Sequence, residues 1–371
     1  MVKIFILTQY SLPNHKRNLN AYQRIYYGSQ FSQINLLIRK YHSVSSEIAK
    51  RVLLFKAPVN NKILFFLYAI YQSLRLRMQS CRIIITEPSI FAVIGFLAKY
   101  FFNYFWVLDL WDPPRRRSGL PPRISDRIIF LLMNKADLFL YSIMPEAAPY
   151  VKAPPDKALY LVNAIDLDYL ATSPPKRSHF DKELQVAYIR SEFTSQMGIS
   201  VLIKAIEYLK EWQCPVKIHI IGDLPLELVN LIKNSSIASL ICCHGFIPFT
   251  PASKANFLRN FHVGIIPFED TDNLRYTFPI KVLEHMSQGH PIIASRLPGI
   301  SKIVKHEVNG LLFEPGNPFH LADSIRRLQK DLNLWQKLAI NALEIVKNYD
   351  AKDKNRIIFS EIINRSQIAR K

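Results

Sequence analysis

Residues 277–295 read TFPIKVLEHMSQGHPIIAS, and this stretch decides the class of fold. Thr277 can cap a helix with its hydroxyl, Pro279 is tolerated in a first helical turn, Gly289 supplies the stop, and 291–294 reads as the next apolar strand. A helix start presents unpaired N–H groups and the positive end of the helix dipole, so a diphosphate can bind there without a metal. Lys281 and Glu284 lie three apart and share one helix face. A carboxylate in that position can accept both hydroxyls of a ribose. The same spacing equally describes a Lys and Glu pair on an ordinary surface helix.

Outward from this segment, short runs rich in Ile, Val and Phe alternate with longer helical patterns, which is the pattern of βα units around parallel sheets. Strands are expected at 3–8, 82–86, 106–110, 138–142 and 159–162, and again at 185–189, 217–221, 240–244, 263–267 and 291–294. Each set can make one sheet. Between them Ser173, Pro174, Pro175, Lys176 and Arg177 follow neither period and fit a linker. The predicted organisation is a first α/β domain over 1–168, a second over 169–345, and a basic amphipathic helix over 346–371 that crosses back to the first. A chain of 371 residues is long enough for each domain to bury a core.

The charge is uneven. Residues 1–165 hold 22 Lys and Arg against 8 Asp and Glu, which is 14 of the 19 net positive charges of the chain. A basic half joined to a nearly neutral one suits a partner with an anionic surface: phospholipid headgroups, a lipid diphosphate or nucleic acid. Cys81, Cys214, Cys242 and Cys243 contain no CxxC pair and read as reduced core residues. MVKIFIL is too short and lacks the cleavage site of a signal peptide, so a cytoplasmic location is expected. The apolar stretches 63–74 and 90–110 are short or interrupted by Lys99, Asn103 and Asp109; they are read as buried helix and strand, with the aromatic run 100–106 as a place where lipid could touch.

Pro279, Lys281, Glu284, Gly289, Pro291, Ala294 and Ser295 stand in the register of the nucleotide-binding signature of family 4 glycosyltransferases, which the segment resembles. LYLVNAID at 159–166, IHIIGD at 218–223, His244-Gly245-Phe246, GIIPF at 264–268 and VNGLLFEPGNP at 308–318 resemble further family segments, in the family's order. The resemblance implies a GT-B fold, two Rossmann-like domains facing a cleft, with the acceptor held by the first and the donor mainly by the second. It implies a retaining hexosyltransferase that needs neither cofactor nor metal. Its donor would be a uridine or guanosine diphosphate sugar, and its acceptor a glycan or a membrane-associated lipid in cell-surface polysaccharide or glycolipid synthesis.

On the donor side the resemblance points to Arg190, Gly222, His244, Tyr276, Thr277, Pro279, Lys281 and Glu284. In VLDLWDPP, residues 107–114, Asp112 and then Asp109 are candidates to take the proton of an acceptor hydroxyl. Arg115, Arg116 and Arg117 follow on the acceptor or membrane side, where a peripheral contact with the inner face of the membrane is expected. The chain departs from the family at Tyr276, where a glutamate is usual, at Met197, where a basic residue is usual, and at 190–191 and 9–20, which lack the usual glycines. These departures bear on the placement of the sugar and leave a non-catalytic member open.

Three other readings compete. Asp166-Leu167-Asp168 is formally an Asp-x-Asp metal motif of a single-domain transferase, but it follows Asn163 at a domain end. A nucleotide-sugar epimerase would need acid and base groups, for which His244, His285 and His290 are the nearest candidates. A basic protein that binds an anionic surface could use Arg115, Arg116, Arg117, Arg123 and Arg127, but no nucleic-acid motif surrounds them.

Overall fold

The computed structural model describes residues 1–8, 20–38, 44–56, 61–89, 91–110, 131–141, 153–160, 163–168, 170, 183–247, 251–272 and 274–369. Two compact units result: Met1–Ala164 with Ala351–Lys371, and Ile165–Asp350. The linker read at 173–177 lies outside the described residues, as do Asp112 and the run Arg115, Arg116 and Arg117.

The first unit is built on a seven-stranded parallel sheet in the order β3-β2-β1-β4-β5-β6-β7. Its strands are β1 (Val2–Thr8), β2 (Ser32–Ile38), β3 (Leu53–Lys56), β4 (Ile83–Thr86), β5 (Phe105–Leu110), β6 (Leu138–Tyr141) and β7 (Ala158–Tyr160). Both faces of a parallel sheet are covered by helices, which is why these strands are nearly continuous apolar runs. Strands β2 and β3 are additions to the expected set. In SQINLLI the polar Ser32, Gln33 and Asn35 break the run, yet Ser32 and Asn35 are buried, and Asn35 Nδ2 donates to the Ile4 carbonyl at 3.5 Å.

The last helix, Ala351–Ile368, returns to this unit and packs Ile358, Phe359 and Ile362 against Tyr22 and Ile25 of the helix Asn20–Gly28. A polar tie runs beside that contact. Arg24 Nε meets Asp109 Oδ2 at 3.0 Å, and Arg24 Nη1 donates to Asn355 Oδ1 at 2.7 Å. Asp109 is thus buried in an ion pair inside the unit, where burial raises its carboxyl pKa against the pull of Arg24.

The helix Lys62–Met78 covers one face beside the helix Phe91–Phe102. The expectation that stretch 63–74 is buried holds for one side only. Phe65, Ala69, Gln72, Ser73 and Leu76 face the core, while Ile63, Leu67, Tyr71 and Met78 are exposed. An all-round apolar sequence does not reveal which flank meets solvent.

The second unit repeats the plan with β8 (Leu184–Glu192), β9 (Val216–Asp223), β10 (Ile241–Gly245), β11 (Val263–Ile266), β12 (Ile292–Ser295) and β13 (Gly310–Phe313), in the order β10-β9-β8-β11-β12-β13. Strand β13, missed in the sequence, lies within the VNGLLFEPGNP segment. The helices Ile199–Glu211 and Pro318–Lys330 pack on the face of Val186, Tyr188 and Ile218. Leu258 and Phe261 close the other face against Ala187, Ile189 and Ile221.

In both sheets the strand order reverses between the first and fourth strands, because successive right-handed crossovers run one way and then the other. Ligands of such sheets bind outside the carboxyl ends of the strands at that reversal. For the second unit that point lies between β8 and β11, and for the first between β1 and β4.

A buried histidine pair supports the helix Ile280–Met286 on its strand. A Cβ on Gly264 of β11 would fall 2.4 Å from the His285 ring, so the missing side chain lets helix and strand approach. His285 Nδ1 and His290 Nδ1 are 3.1 Å apart, which requires one ring to donate and the other to accept. Burial pushes the His285 pKa down to about 3 and that of His290 well below its usual value, so both rings are neutral.

Two outcomes follow. Arg24→Met leaves Asp109 buried without its partner and should cost about 3–5 kcal/mol in the unfolding of the first unit; Arg24→Met with Asp109→Leu should recover most of it, as read by urea denaturation. The histidine pair acts through the unfolded chain, whose histidines bind protons below about pH 6.5 while the folded pair does not. Stability therefore falls as pH drops from 6 toward 4, and His290→Gln should lessen that slope by about 1.4 kcal/mol per pH unit.

Candidate functional site

The helix carrying Glu284 begins later than its sequence suggests. It spans Ile280–Met286, Pro279 occupies the N-cap position with extended backbone (φ −72°, ψ 123°), and no side chain caps it. Thr277 is not its cap. Residues 274–277 instead form a turn: Thr277 N donates to the Leu274 carbonyl at 3.1 Å, and Gly299 N donates to the Arg275 carbonyl at 3.0 Å. Arg275 is itself held by a fork to Asp270, at 2.7 and 3.0 Å. A Cβ at Gly299 would fall 2.3 Å from the Thr277 carbonyl oxygen, so the backbone of Tyr276 and Thr277 lies tightly against that glycine.

Glu284 is 2% exposed and touches two ammonium groups. Lys254 Nζ lies 2.5 Å from Oε1 and Lys281 Nζ 2.9 Å from Oε2. Burial alone would favour the neutral acid, but the two lysines overcome it and hold the carboxyl well below the usual range. Lys254, nearly as deep, is lowered by burial in spite of Glu284. Two cations around one anion leave a net positive charge.

Lys254 was not singled out in the sequence. It is a lone lysine in the helix Pro251–Leu258, 30 residues before its partner, and nothing local joins the two. The topology joins them. Lys254 lies in the first half of the crossover helix that leads from β10 to β11, Glu284 lies in the helix between β11 and β12, and both helices begin at the carboxyl ends of the strands they follow.

At the sheet reversal itself stands Arg190, near the end of β8. Its guanidinium lies 5.0 Å from the centre of the Phe268 ring just beyond β11. Its Nε has no hydrogen-bond partner among the described residues, and burial lowers its pKa. Two glycines make room here. Gly222 at the end of β9 (φ +135°) would place a Cβ 2.0 Å from the Arg190 carbonyl oxygen, and Gly198 (φ +73°) would place one 1.6 Å from the Pro267 carbonyl oxygen. Both the positive φ and the close approach demand glycine. Met197 is part-buried against the core of the unit.

His244 occupies a different part of the sheet. It is the penultimate residue of the edge strand β10, two strands from β8, and its Nε2 lies 2.9 Å from His219 Nδ1, whose own Nε2 lies 2.7 Å from Gln185 Oε1. Burial lowers the pKa of His244, and that of His219 falls to about 4. His285 and His290, fully buried and bonded to each other, are closed to a substrate. Asp166 is also fully buried, beside the bridge of Ile165 with Asp350, and among the described residues no three His, Cys, Asp or Glu are grouped to hold a metal ion.

In the first unit the sheet reversal carries carboxylate chemistry. Thr8, ending β1, donates its hydroxyl to Glu87, which follows β4; both are buried. Sequence reading passed over Glu87, which has no motif around it. Asp109, a candidate for the acceptor site, has its Oδ2 held by Arg24 as described above, while its buried Oδ1 has no hydrogen-bond partner among the described residues.

Comparisons with known proteins bear on the fold and the family. The pattern of the family described as "Glycosyl transferases group 1" matches residues 185–331, within the second unit and less than half of the chain. An uncharacterised glycosyltransferase of Methanocaldococcus jannaschii is 27% identical over 190 residues, covering 51% of this chain and 46% of that protein. The amylovoran biosynthesis glycosyltransferase AmsK of Erwinia amylovora is 26% identical over 143 residues, covering 38% of this chain and 35% of that protein. The matched part thus spans less than half the length of these relatives. Among solved structures, Anabaena HepE in complex with UDP superposes with a TM-score of 0.76 at 17% identity, covering 98% of this chain and all of that one (100%). Sucrose-phosphate synthase of Thermosynechococcus elongatus gives 0.73 at 16% identity, with 100% of both chains covered. Sequence and fold converge on glycosyltransferases, and the chain has their architecture of two Rossmann-like α/β domains.

Proposed function

We propose that this protein is a GT-B glycosyltransferase of the family 4 kind, which moves a hexose from a nucleoside-diphosphate donor held by its second unit to a glycan or membrane-associated acceptor. The observation that carries the reading is Glu284, buried and ionised between Lys254 and Lys281 inside the segment that resembles the nucleotide-binding signature. In this reading the ionised carboxylate, a strong hydrogen-bond acceptor, would receive the paired hydroxyls of a ribose.

Arg190 supplies the second part. A part-buried guanidinium with no carboxylate partner among the described residues suits phosphate oxygens, and it would offset the charge that grows on the diphosphate as the sugar departs. Tyr276, Thr277 and Pro279 form the turn that leads into the Glu284 helix and would line the donor; Gly222 holds the end of β9 against Arg190. His244, tied to His219 at the sheet edge, would serve the donor from a greater distance. The donor needs no resident metal in this reading, and transfer would retain the configuration of the sugar. Uridine diphosphate is favoured over guanosine diphosphate because HepE was solved with UDP and with UDP-glucose. A role in polysaccharide synthesis is supported by the likeness to AmsK. On the acceptor side, Asp112 would take the proton of the attacking hydroxyl, with Arg115, Arg116 and Arg117 beside it and the location cytoplasmic at the inner face of the membrane.

Calorimetry of the protein with UDP, with and without magnesium, tests the donor half. Glu284→Ala should weaken UDP by about tenfold to a hundredfold, the scale of one or two hydrogen bonds to a charged group; an unchanged dissociation constant removes Glu284 from the site. Asp112→Asn should abolish transfer while leaving UDP affinity as it was, and normal turnover in that variant assigns the proton transfer elsewhere.

A further inference from the structure

The helices Lys62–Met78 and Phe91–Phe102 lie side by side on one face of the first sheet. Phe65 and Phe91, near their starts, have ring centres 5.6 Å apart, and at their ends Arg77 Nε donates to the Phe102 carbonyl at 2.7 Å. They therefore run in the same direction, as neighbouring crossovers of a parallel sheet must. Their inner sides fill the core, with Phe65, Ala69, Leu76, Ala92, Ile94 and Ala98 buried.

Their outer side is apolar as well. On the first helix Ile63 is 71% exposed, Leu67 57%, Tyr71 58% and Met78 81%; on the second, Tyr100 is 55% and Phe101 72% exposed. The spacing of four from 63 to 67 to 71, followed seven residues later by 78, is one helical stripe, about 22 Å long at 1.5 Å per residue. A run of large apolar side chains of this extent marks an interaction surface.

The charges beside the stripe say what it meets. The sequences KILFFLYAIYQSLRLRM and FAVIGFLAKYFF contain Lys62, Arg75, Arg77 and Lys99 and no acidic residue. Arg75 is exposed one turn before Met78, and Lys3, whose Nζ donates to the Gln79 carbonyl at 2.8 Å, brings a further cation to the same end. Lys99 is held by Asp137 at 2.6 Å. Aromatic and aliphatic groups flanked by cations match the boundary between headgroups and acyl chains of a bilayer with anionic lipids. A second copy of the chain fits less well, because a two-fold contact through this face would set its cations against themselves. Among the described residues no helix is long and apolar enough to cross a membrane, so contact would be along the surface.

We propose that the exposed face of these two helices is a membrane-docking surface, which lays Ile63, Leu67, Tyr71, Met78, Tyr100 and Phe101 into an anionic bilayer. It rests on the surface composition of the first unit and stands independently of the donor site. It adds a second element to the membrane contact expected in the sequence at the arginines 115–117, which lie outside the described residues.

The test is flotation of the full chain with vesicles of phosphatidylcholine alone and of phosphatidylcholine with phosphatidylglycerol. The protein should float with the anionic vesicles, less so at high salt, and Tyr71→Glu with Phe101→Glu should lower partitioning at least about tenfold. Both positions are exposed, and unchanged thermal unfolding and UDP binding would show that the variant is folded. A Phe101→Trp variant gives a direct readout, since its fluorescence should be quenched by brominated acyl chains. The proposal is overturned if the parent ignores anionic vesicles, if the double variant floats as the parent does, or if the substitutions convert a dimer to a monomer in the absence of lipid.

Discussion

A carboxylate sunk between two ammonium groups organises the second unit. Glu284 ties the helix after β10, through Lys254, to the helix after β11, and both helices enter from the carboxyl ends of their strands. Because the group is buried, its attraction to the lysines is only weakly screened, and losing any one of the three leaves an uncompensated charge in a poor solvent. The position of the 274–279 turn follows from it. The turn is held from one side by the start of the Glu284 helix and from the other by Gly299, which has no side chain to push it away.

The two sheets share one strand order yet equip the reversal point with opposite chemistry. In the second unit the groups there are cationic, with Arg190 unpaired at Nε among the described residues and two lysines outnumbering one glutamate nearby in the topology. In the first unit the corresponding point has Glu87 bonded to Thr8, with Asp109 on the next strand. A cationic site favours a diphosphate, and a carboxylate-lined one favours hydroxyl groups. A division of labour between donor and acceptor, as proposed above, would then have an electrostatic basis in two copies of one topology.

Much of this architecture was legible in the sequence because buried parallel strands are written as short apolar runs. Strand β2 was hidden where Ser32 and Asn35 satisfy themselves inside the sheet, and β13 is a four-residue run inside a turn-rich segment. Lys281 and Glu284 were singled out by their spacing of three, and Arg190 and Gly222 by the family resemblance. Lys254 and Arg24 were not, since each reaches its partner across 30 and 85 residues, a separation that only the fold closes. Asp109 shows the converse: a motif marked it, and a distant arginine holds its Oδ2 inside the unit. The helix cap misread at Thr277 has the same origin, because the Gly299 contact that holds the preceding turn lies in a later element.

Stability offers no reason for Glu284 to be a glutamate. A buried ion pair replaced by apolar side chains of similar volume is often neutral or stabilising by about 1–4 kcal/mol, since both partners escape desolvation. Here three ionised groups are drawn from water, and their charges do not cancel. A purely structural helix contact would be better made by leucine and methionine. The surplus positive charge and an Arg190 guanidinium without a carboxylate partner among the described residues are likewise unfavourable for folding alone, whereas the glycines at 198 and 222 are demanded by positive φ and close backbone approach. In the reading proposed above, the surplus charge and the arginine both become favourable once an anion with paired hydroxyls is bound.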